Sequence, residues 1–323
     1  MTWRYFATCA VALLAAATGA AFAQTFPSKP VRIVVAFPAG GGVDIVARFL
    51  GPKLTEAWGQ QVLVDNRAGA SGVIGTEFAA RSAPDGYTLF LGTLGNLSVN
   101  PHLYPKMAVD PLRDFAPITQ VVAVHFVLVA HPSLQARNAR ELIALARAQP
   151  GKINYSSSGP GGAPHLAGEL FKSMAGVNLV HVPYKGSAPS FQDLLGGQVS
   201  LTFDSLVQAL PYVRDARLNA LAVLGSVRSP LLPDVPTVAE SGLPGYELTN
   251  WFGLVAPFAT PREIVAKIHA DVLRTLQDAA ISERLSAMGA TVIGNTPEQF
   301  GAVMREDSGK WGKLIKEANI RAE

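Results

Sequence analysis

The sequence predicts an α/β protein made of two αβ lobes joined by two crossing strands. Three observations predict it. An alternation of apolar strand, glycine-rich loop and helix occurs in each half of the chain, the pattern of a sheet covered by helices. Residues 118–130 form a β-rich run, with VVAVHFVLVA at its heart, that is long for one strand in one sheet. Residues 251–256 (WFGLVA) supply a second apolar run suited to a return crossing.

The elements follow in order. Residues 31–37 (VRIVVAF) are apolar apart from Arg32 and read as a buried parallel strand. The loop Pro38-Ala39-Gly40-Gly41-Gly42 precedes a helix carried by Ile45, Val46, Phe49, Leu50 and Leu54, with Asp44 in its first turn. Strands at 61–65 and 87–92 flank a glycine-rich stretch at 69–75 and a helix at 76–81. After the crossing run come a helix at 139–148, a strand at 153–156, the loop SSSGPGGAPH and a helix at 165–175. A strand at 178–182, a helix at 187–195 and strands at 199–203 and 220–224 complete the second half. Helices at 261–277, 281–288 and 297–319 close the chain. The expected lobes are residues 25–124 with 252–323, and residues 125–251.

Bulk properties agree with this division. A length of 323 residues suits about two domains of roughly 100–200 residues. Hydrophobic residues make up 49% and charged residues 16%, enough to bury sizeable cores. The net charge of +3 is spread along the chain, without the basic block of a nucleic-acid binder. Residues 1–23 read as an export signal: Arg4, an apolar run over 6–17, then Ala21-Phe22-Ala23 as a small-x-small cleavage site. That run is short for a membrane span, which needs about 20 apolar residues. The single cysteine, Cys9, lies inside the signal, so the processed chain has no disulfide, thiol catalyst or thiolate metal site. A cysteine-free exported chain fits the bacterial periplasm.

Both glycine-rich loops follow a strand and open a helix. Glycines allow close backbone approach, and a helix N-terminus offers free N–H groups and a positive dipole end. Each loop suits a carboxylate or phosphate, or is simply a tight turn. The first lacks the Lys and Ser/Thr of a P-loop and has no GxGxxG pattern, which disfavours nucleotides. His165 and His181 show no metal-ligand spacing, and no cofactor is expected. No GxSxG elbow is present, and nothing else marks a catalytic centre, so no enzyme activity is expected. His165 at the second loop either reaches a ligand or bonds a nearby backbone group. Lys185 is equally a loop anion contact or a solvated side chain. Trp251-Phe252 reads as packing at the crossing strand.

Taken together, the chain resembles the Bug-type receptors of tripartite tricarboxylate transporters over essentially its whole exported length. The matching segments, in order, are Phe37-Pro38-Ala39-Gly40-Gly41, Asp65-Asn66-Arg67 with Gly69, Pro84-Asp85-Gly86-Tyr87-Thr88-Leu89 and Asn100-Pro101. They continue with Tyr155, Ser157-Ser158-Gly159, His165, His181-Val182-Pro183-Tyr184-Lys185-Gly186 and Leu232-Pro233-Asp234-Val235-Pro236-Thr237. Glu240, Trp251-Phe252-Gly253 and Trp311 complete the series.

The resemblance implies a type II periplasmic-binding-protein fold, a Venus flytrap that captures small organic carboxylates without catalysis. It implies a pincer in which the loops 37–41 and 157–161 hold one ligand carboxylate through the backbone N–H groups of Ala39 to Gly41 and of Ser158 to Gly161. The expected ligand-binding residues are Phe37, Ala39, Gly40, Gly41, Asp44, Thr93, Asn96, Ser157, Ser158, Gly159, Gly161, His165, Asp204 and Ser205. Those at Thr93 to Asn96 and at Asp204 and Ser205 are expected to set specificity. The partners implied are membrane transporter subunits, met transiently by a monomer. The alternative is a sensory binding protein that presents its ligand to a membrane signalling partner. Two departures stand out: Val43 and Gly162 occupy positions where the family usually carries hydroxyl residues. Their loss implies a somewhat less polar or larger acid.

Overall fold

The computed structural model describes residues 26–317, 320 and 321. The expected export signal and Cys9 lie outside them. Two sheets organise the chain. The first takes β1 (Val31–Val35), β2 (Val62–Asn66), β3 (Thr88–Thr93), β4 (Phe115–Val124), β10 (Asn250–Pro257) and β11 (Ala290–Val292), in the order β11-β4-β10-β3-β1-β2. The second takes β5 (Phe126–Ala130), β6 (Asn154–Ser157), β7 (Val180–Pro183), β8 (Leu201–Ser205) and β9 (Asn219–Val223), in the order β7-β6-β8-β5-β9.

In the first sheet β1 pairs in parallel with β2 and β3, while β10 runs antiparallel between β3 and β4. In the second, β6 pairs in parallel with β7 and β8, and β5 is antiparallel to β8 and β9. Val31, Ile33, Val34 and Val35 are fully buried, as the near-continuous apolar β1 requires for a sheet covered on both faces.

Helix α1 (Gly42–Trp58) follows β1, and its buried stripe of Val43, Val46, Leu50, Leu54 and Trp58 recurs at helical spacing. It stops at Gly59, whose left-handed φ of 62° lets its N–H reach the Thr55 carbonyl. Helices α2 (Val73–Ala80), α3 (Ala139–Ala148), α4 (Ala163–Ala175), α5 (Ser187–Leu195) and α6 (Leu206–Arg214) follow; α7 (Arg262–Gln277), α8 (Ala279–Ala287) and α9 (Pro297–Glu317) end the chain. The Trp58 indole donates to Asp271 Oδ2 at 2.8 Å, tying α1 to α7.

The long run at 118–130 divides between the sheets. His125 separates β4 from β5; its N–H donates to the Gly289 carbonyl and its carbonyl accepts from Leu206 N. The second crossing differs from expectation. Strand β10 lies wholly in the first sheet, and the passage comes just before it. Leu248 N still bonds to Leu224 O at the end of β9, whereas Asn250 already pairs with Val124. The apolar pattern marked the buried strand rather than the crossing, because burial and not passage between lobes selects apolar residues. Helix α6 and strand β11 were not anticipated. Pro211 lies inside α6, and β11 is only three residues long, so neither gives a strong periodic signal.

Gly253 sits mid-strand in β10, where an added Cβ would overlap the Phe300 ring of α9. Gly253→Ala is therefore expected to destabilise the protein by about 2–3 kcal/mol. Urea denaturation would read this as a lower midpoint at unchanged slope.

Candidate ligand-binding site

One cavity lies where the two sheets' loops meet. It encloses about 450 Å³, its open mouth included. Four helices start at its wall. Gly42 and Val43 open α1, and Ala163 and Pro164 open α4. Ser187 opens α5, and Ser205 is the N-cap of α6. None of these four starts has a side-chain cap, although the first N–H groups of a helix need partners outside it. The walls between them are apolar, chiefly Phe37, Phe126 and Phe252. No Lys, Arg or His lines the cavity among the described residues.

Of the residues expected from sequence, Phe37, Gly41, Thr93, Ser158, Asp204 and Ser205 meet at this cavity. Ala39 and Gly40 are exposed and lie off the lining. The backbone donors shift accordingly. Gly40 N is spent on Asp44 Oδ2, Gly159 N on Ser157 Oγ and Gly161 N on His165 Nδ1, and Pro160 has no N–H. Gly41 to Val43, Ser158 and Ala163 line the cavity, and all of these but Ser158 lie at the helix starts, a few residues later in the chain than the loops themselves.

The remaining candidates are braces rather than lining. Asp44 is 1% exposed and accepts from Gly40 N, Arg48 Nε and Asn66 Nδ2. Hydrogen bonds from Arg48, Gly40 and Asn66 outweigh its desolvation, which opposes them, and hold its carboxyl below the usual range. Asn96 Oδ1 accepts from the Thr93 hydroxyl at 3.0 Å, and Asn96 Nδ2 points to Ser71 O. Ser157 Oγ turns away to His181 Nε2 at 2.7 Å. His165 stacks on His181 with centroids 4.3 Å apart. Burial pushes His165 down to about 4 and His181 down to about 3, so both rings are neutral at pH 7. These histidines lie behind the second loop and hold its shape. Lys185 is exposed and off the lining.

The structure adds Phe126, Ser187 and Asn250, which the sequence reading passed over, and Phe252, which it read as packing. Phe252 lines the cavity, while its neighbour Trp251 packs edge-on against Phe300 and donates to Asp307. The signal for Ser187 was available, since Gly186-Ser187 repeats the glycine-then-helix pattern of the other two loops. Nothing in the local sequence marks Asn250. The Gly162 departure also has a structural counterpart. A Cβ at Gly162 would come within 2.5 Å of Ser158 Oγ, so the missing side chain leaves its space to the Ser158 hydroxyl.

Three buried polar atoms at this cavity have no partner: Asp204 Oδ2, Ser205 Oγ and Asn250 Oδ1. Asp204 Oδ1 accepts from Ser205 N at 2.6 Å. Burial pushes the Asp204 carboxyl up to about 6, partly offset by the Ser187 side chain and the Ser205 backbone.

The walls come from both halves and touch across the cleft. Tyr104 OH donates to Pro160 O at 2.7 Å. A Cβ at Gly42 would lie 2.7 Å from Ser205 Oγ. Two αβ lobes around an interlobe cavity with uncapped helix starts define the class of two-lobed periplasmic binding proteins. Residues 46–320 match the tripartite tricarboxylate transporter family receptor, TctC. The chain belongs to this family. It is 38% identical to protein BugT of Bordetella pertussis over 300 residues, covering 93% of this chain and 92% of BugT. The structure of the periplasmic binding protein BugD superposes with a TM-score of 0.89 at 37% identity, covering 92% of this chain and all of BugD. That of R. palustris Rpa4515 with adipate superposes with a TM-score of 0.89 at 38% identity, covering 92% of this chain and 99% of that one. No helix among the described residues is long and apolar enough to cross a membrane.

Proposed function

We propose that this chain is a periplasmic receptor that captures a small carboxylate and delivers it to a tripartite tricarboxylate-type transporter, without chemical turnover. The observation that carries the reading is the set of uncapped helix N-termini from both sheets converging on one buried cavity that no cationic side chain lines among the described residues. Oriented amides and helix dipoles stabilise an anion there. The adipate held by a relative 38% identical supports a carboxylate as that anion. In this reading residues 26–124 with 250–317 form one lobe and 125–249 the other. They hinge at His125 and just before Asn250, and residues 1–23 direct export. Gly41 to Val43, Ser158 and Ala163 hold the carboxylate, and Thr93, Asp204, Ser205 and Asn250 select the rest of the ligand. A ligand that contacts both lobes favours the closed state, because half its contacts are missing when the clamp is open.

A thermal-shift screen against mono- and dicarboxylates tests this. At 100 times its dissociation constant, a cognate acid should add about 2.7 kcal/mol, while sugars and inorganic phosphate leave the melting temperature unchanged. Stabilisation by none of the carboxylates would refute the reading.

A further inference from the structure

A groove lies apart from the ligand cavity, where three helices meet. Helix α1 carries two faces. Its buried stripe runs through Val43, Val46, Leu50 and Leu54. Ile45, Arg48, Phe49, Pro52 and Lys53 line the groove instead, at the i, i+3, i+4, i+7 and i+8 spacing of one helix face. From α6 come Val207, Leu210, Pro211 and Arg214, again at i, i+3, i+4 and i+7. Ile281, Arg284 and Met288, in and just past α8, form the third wall. The groove has two parts of about 750 and 780 Å³, open mouths included, which share Ile45, Phe49 and Arg284. Helix α1 follows β1 and α8 precedes β11, both of the first sheet, whereas α6 follows β8 of the second. The groove therefore takes its walls from both halves of the fold.

Each wall sets apolar side chains beside a cation, and no Asp or Glu lines the groove among the described residues. Arg48 is held by Asp44 and Lys53 by Glu56. Arg284 lies over the Phe49 ring, 4.4 Å from its centroid. Among the described residues neither Arg284 nor Arg214 has a carboxylate partner. We propose that this groove is a docking surface for a segment of another protein that carries apolar side chains flanked by carboxylates. Ile45, Phe49, Pro211 and Ala287 are exposed or half-buried, and an apolar side chain seated among them removes them from water. Carboxylates on either side of it reach Arg214 and Arg284, whose planar guanidinium groups can each grip two oxygens. A second copy of this chain fits poorly, because an isologous contact sets the same cations against one another. An anionic lipid surface meets protruding side chains, whereas the apolar part of this groove is recessed between helices and suits the side chains of a peptide segment. No residue of the groove lines the ligand cavity, so the inference holds whatever the cavity binds.

The full exported chain is used to select binders from a displayed library of short random peptides, and the enriched peptides are synthesised for calorimetry. They should carry Asp or Glu on both sides of Leu, Phe or Trp. Replacing their acidic residues by Asn and Gln should weaken binding to the native protein on the order of 30-fold. Charge reversal in the Arg214→Glu/Arg284→Glu double variant should weaken the acidic peptides on the order of 100-fold. Phe49→Ala should weaken them on the order of tenfold, a loss that attraction to charge alone does not give. Both arginines are exposed, and unchanged thermal melting verifies that the double variant is folded. The peptide substitutions are read on the native protein, so a folding defect in a variant cannot mask the result. Failure to enrich acidic peptides overturns the inference, and so does equal affinity for the native and charge-reversed proteins. Retention on phosphatidylglycerol vesicles that charge reversal abolishes, with no such peptide enriched, overturns it in favour of a lipid surface. A dimer in sedimentation velocity that charge reversal dissociates overturns it in favour of a second copy.

Discussion

Gly42→Val is expected to abolish binding of any carboxylate the native protein retains, with an affinity loss of at least about 100-fold, while the ligand-free fold stays intact. Gly42 is the first residue of α1 and lies at the seam between the lobes. A Cβ there would come within 2.7 Å of Ser205 Oγ and 3.6 Å of the Phe252 ring. The valine therefore holds the lobes apart at the place where the two sets of helix amides must meet one ligand group. A ligand held by one lobe alone loses the contacts of the other, and each 1.4 kcal/mol lost is tenfold in affinity. The first turn of α1 accepts valine, and the change should alter ligand-free stability by only about 0.5 kcal/mol. Calorimetry reads the affinity, and small-angle scattering reads the failure to close. Ala39→Val, exposed and off the cavity, is the matched control and should bind normally. A Gly42→Val protein that binds within about threefold of the native one would show that the lobes do not clamp there.

The second large effect is on stability without ligand. Asp204→Asn should stabilise the ligand-free protein by about 2 kcal/mol at pH 7, and the gain should disappear near pH 4. In the folded chain burial pushes the Asp204 carboxyl up from 3.8 to about 6. The folded state therefore binds this proton more tightly than the unfolded state does. The stability linked to that proton is complete below about pH 4 and is lost as the pH rises through about 6. Among the described residues no second Asp, Glu, Lys, Arg or His lines the cavity with Asp204, so the change follows this one group. Asparagine keeps an oxygen for the Ser205 amide and carries no charge to desolvate. Denaturation of both proteins at pH 4 and pH 7 gives the difference free of the other titrating groups. A variant less stable than the native protein at pH 7 would mean that the buried charge is already compensated. A site whose ionised residue weakens the empty protein is one that only a ligand completes, a common cost of preformed binding sites.

Much of this protein was legible in its residues. The strand–glycine–helix alternation placed β1, α1, β6 and α4 nearly where they occur, and the helices at Ala139–Ala148 and Ser187–Leu195 fall as expected. The long run with His125 near its middle marked the first crossing, since ten residues of β4 and five of β5 exceed what one sheet needs. The loops themselves were legible because glycine and proline act locally through φ. Gly40, Gly159 and Gly161 have φ of 86°, 120° and 80°, a region that favours glycine.

What the sequence by itself determined is the set of strands, helices and tight turns, and with them the two glycine-bounded helix starts that suit an anion. Those features rest on periodicity and backbone preference, which act over a few residues. Only the tertiary structure decided which N–H groups stay free. Asp44, Ser157 and His165 consume the amides of Gly40, Gly159 and Gly161 through contacts specific to the folded loops. Only the tertiary structure, too, brought Asp204 of β8 and Asn250 of β10 to one cavity and left Asp204 Oδ2 and Asn250 Oδ1 without donors. A hydrogen bond is made or missed by positions accurate to a fraction of an ångström, and residues 46 apart in the chain reach such positions only after both sheets have formed and met.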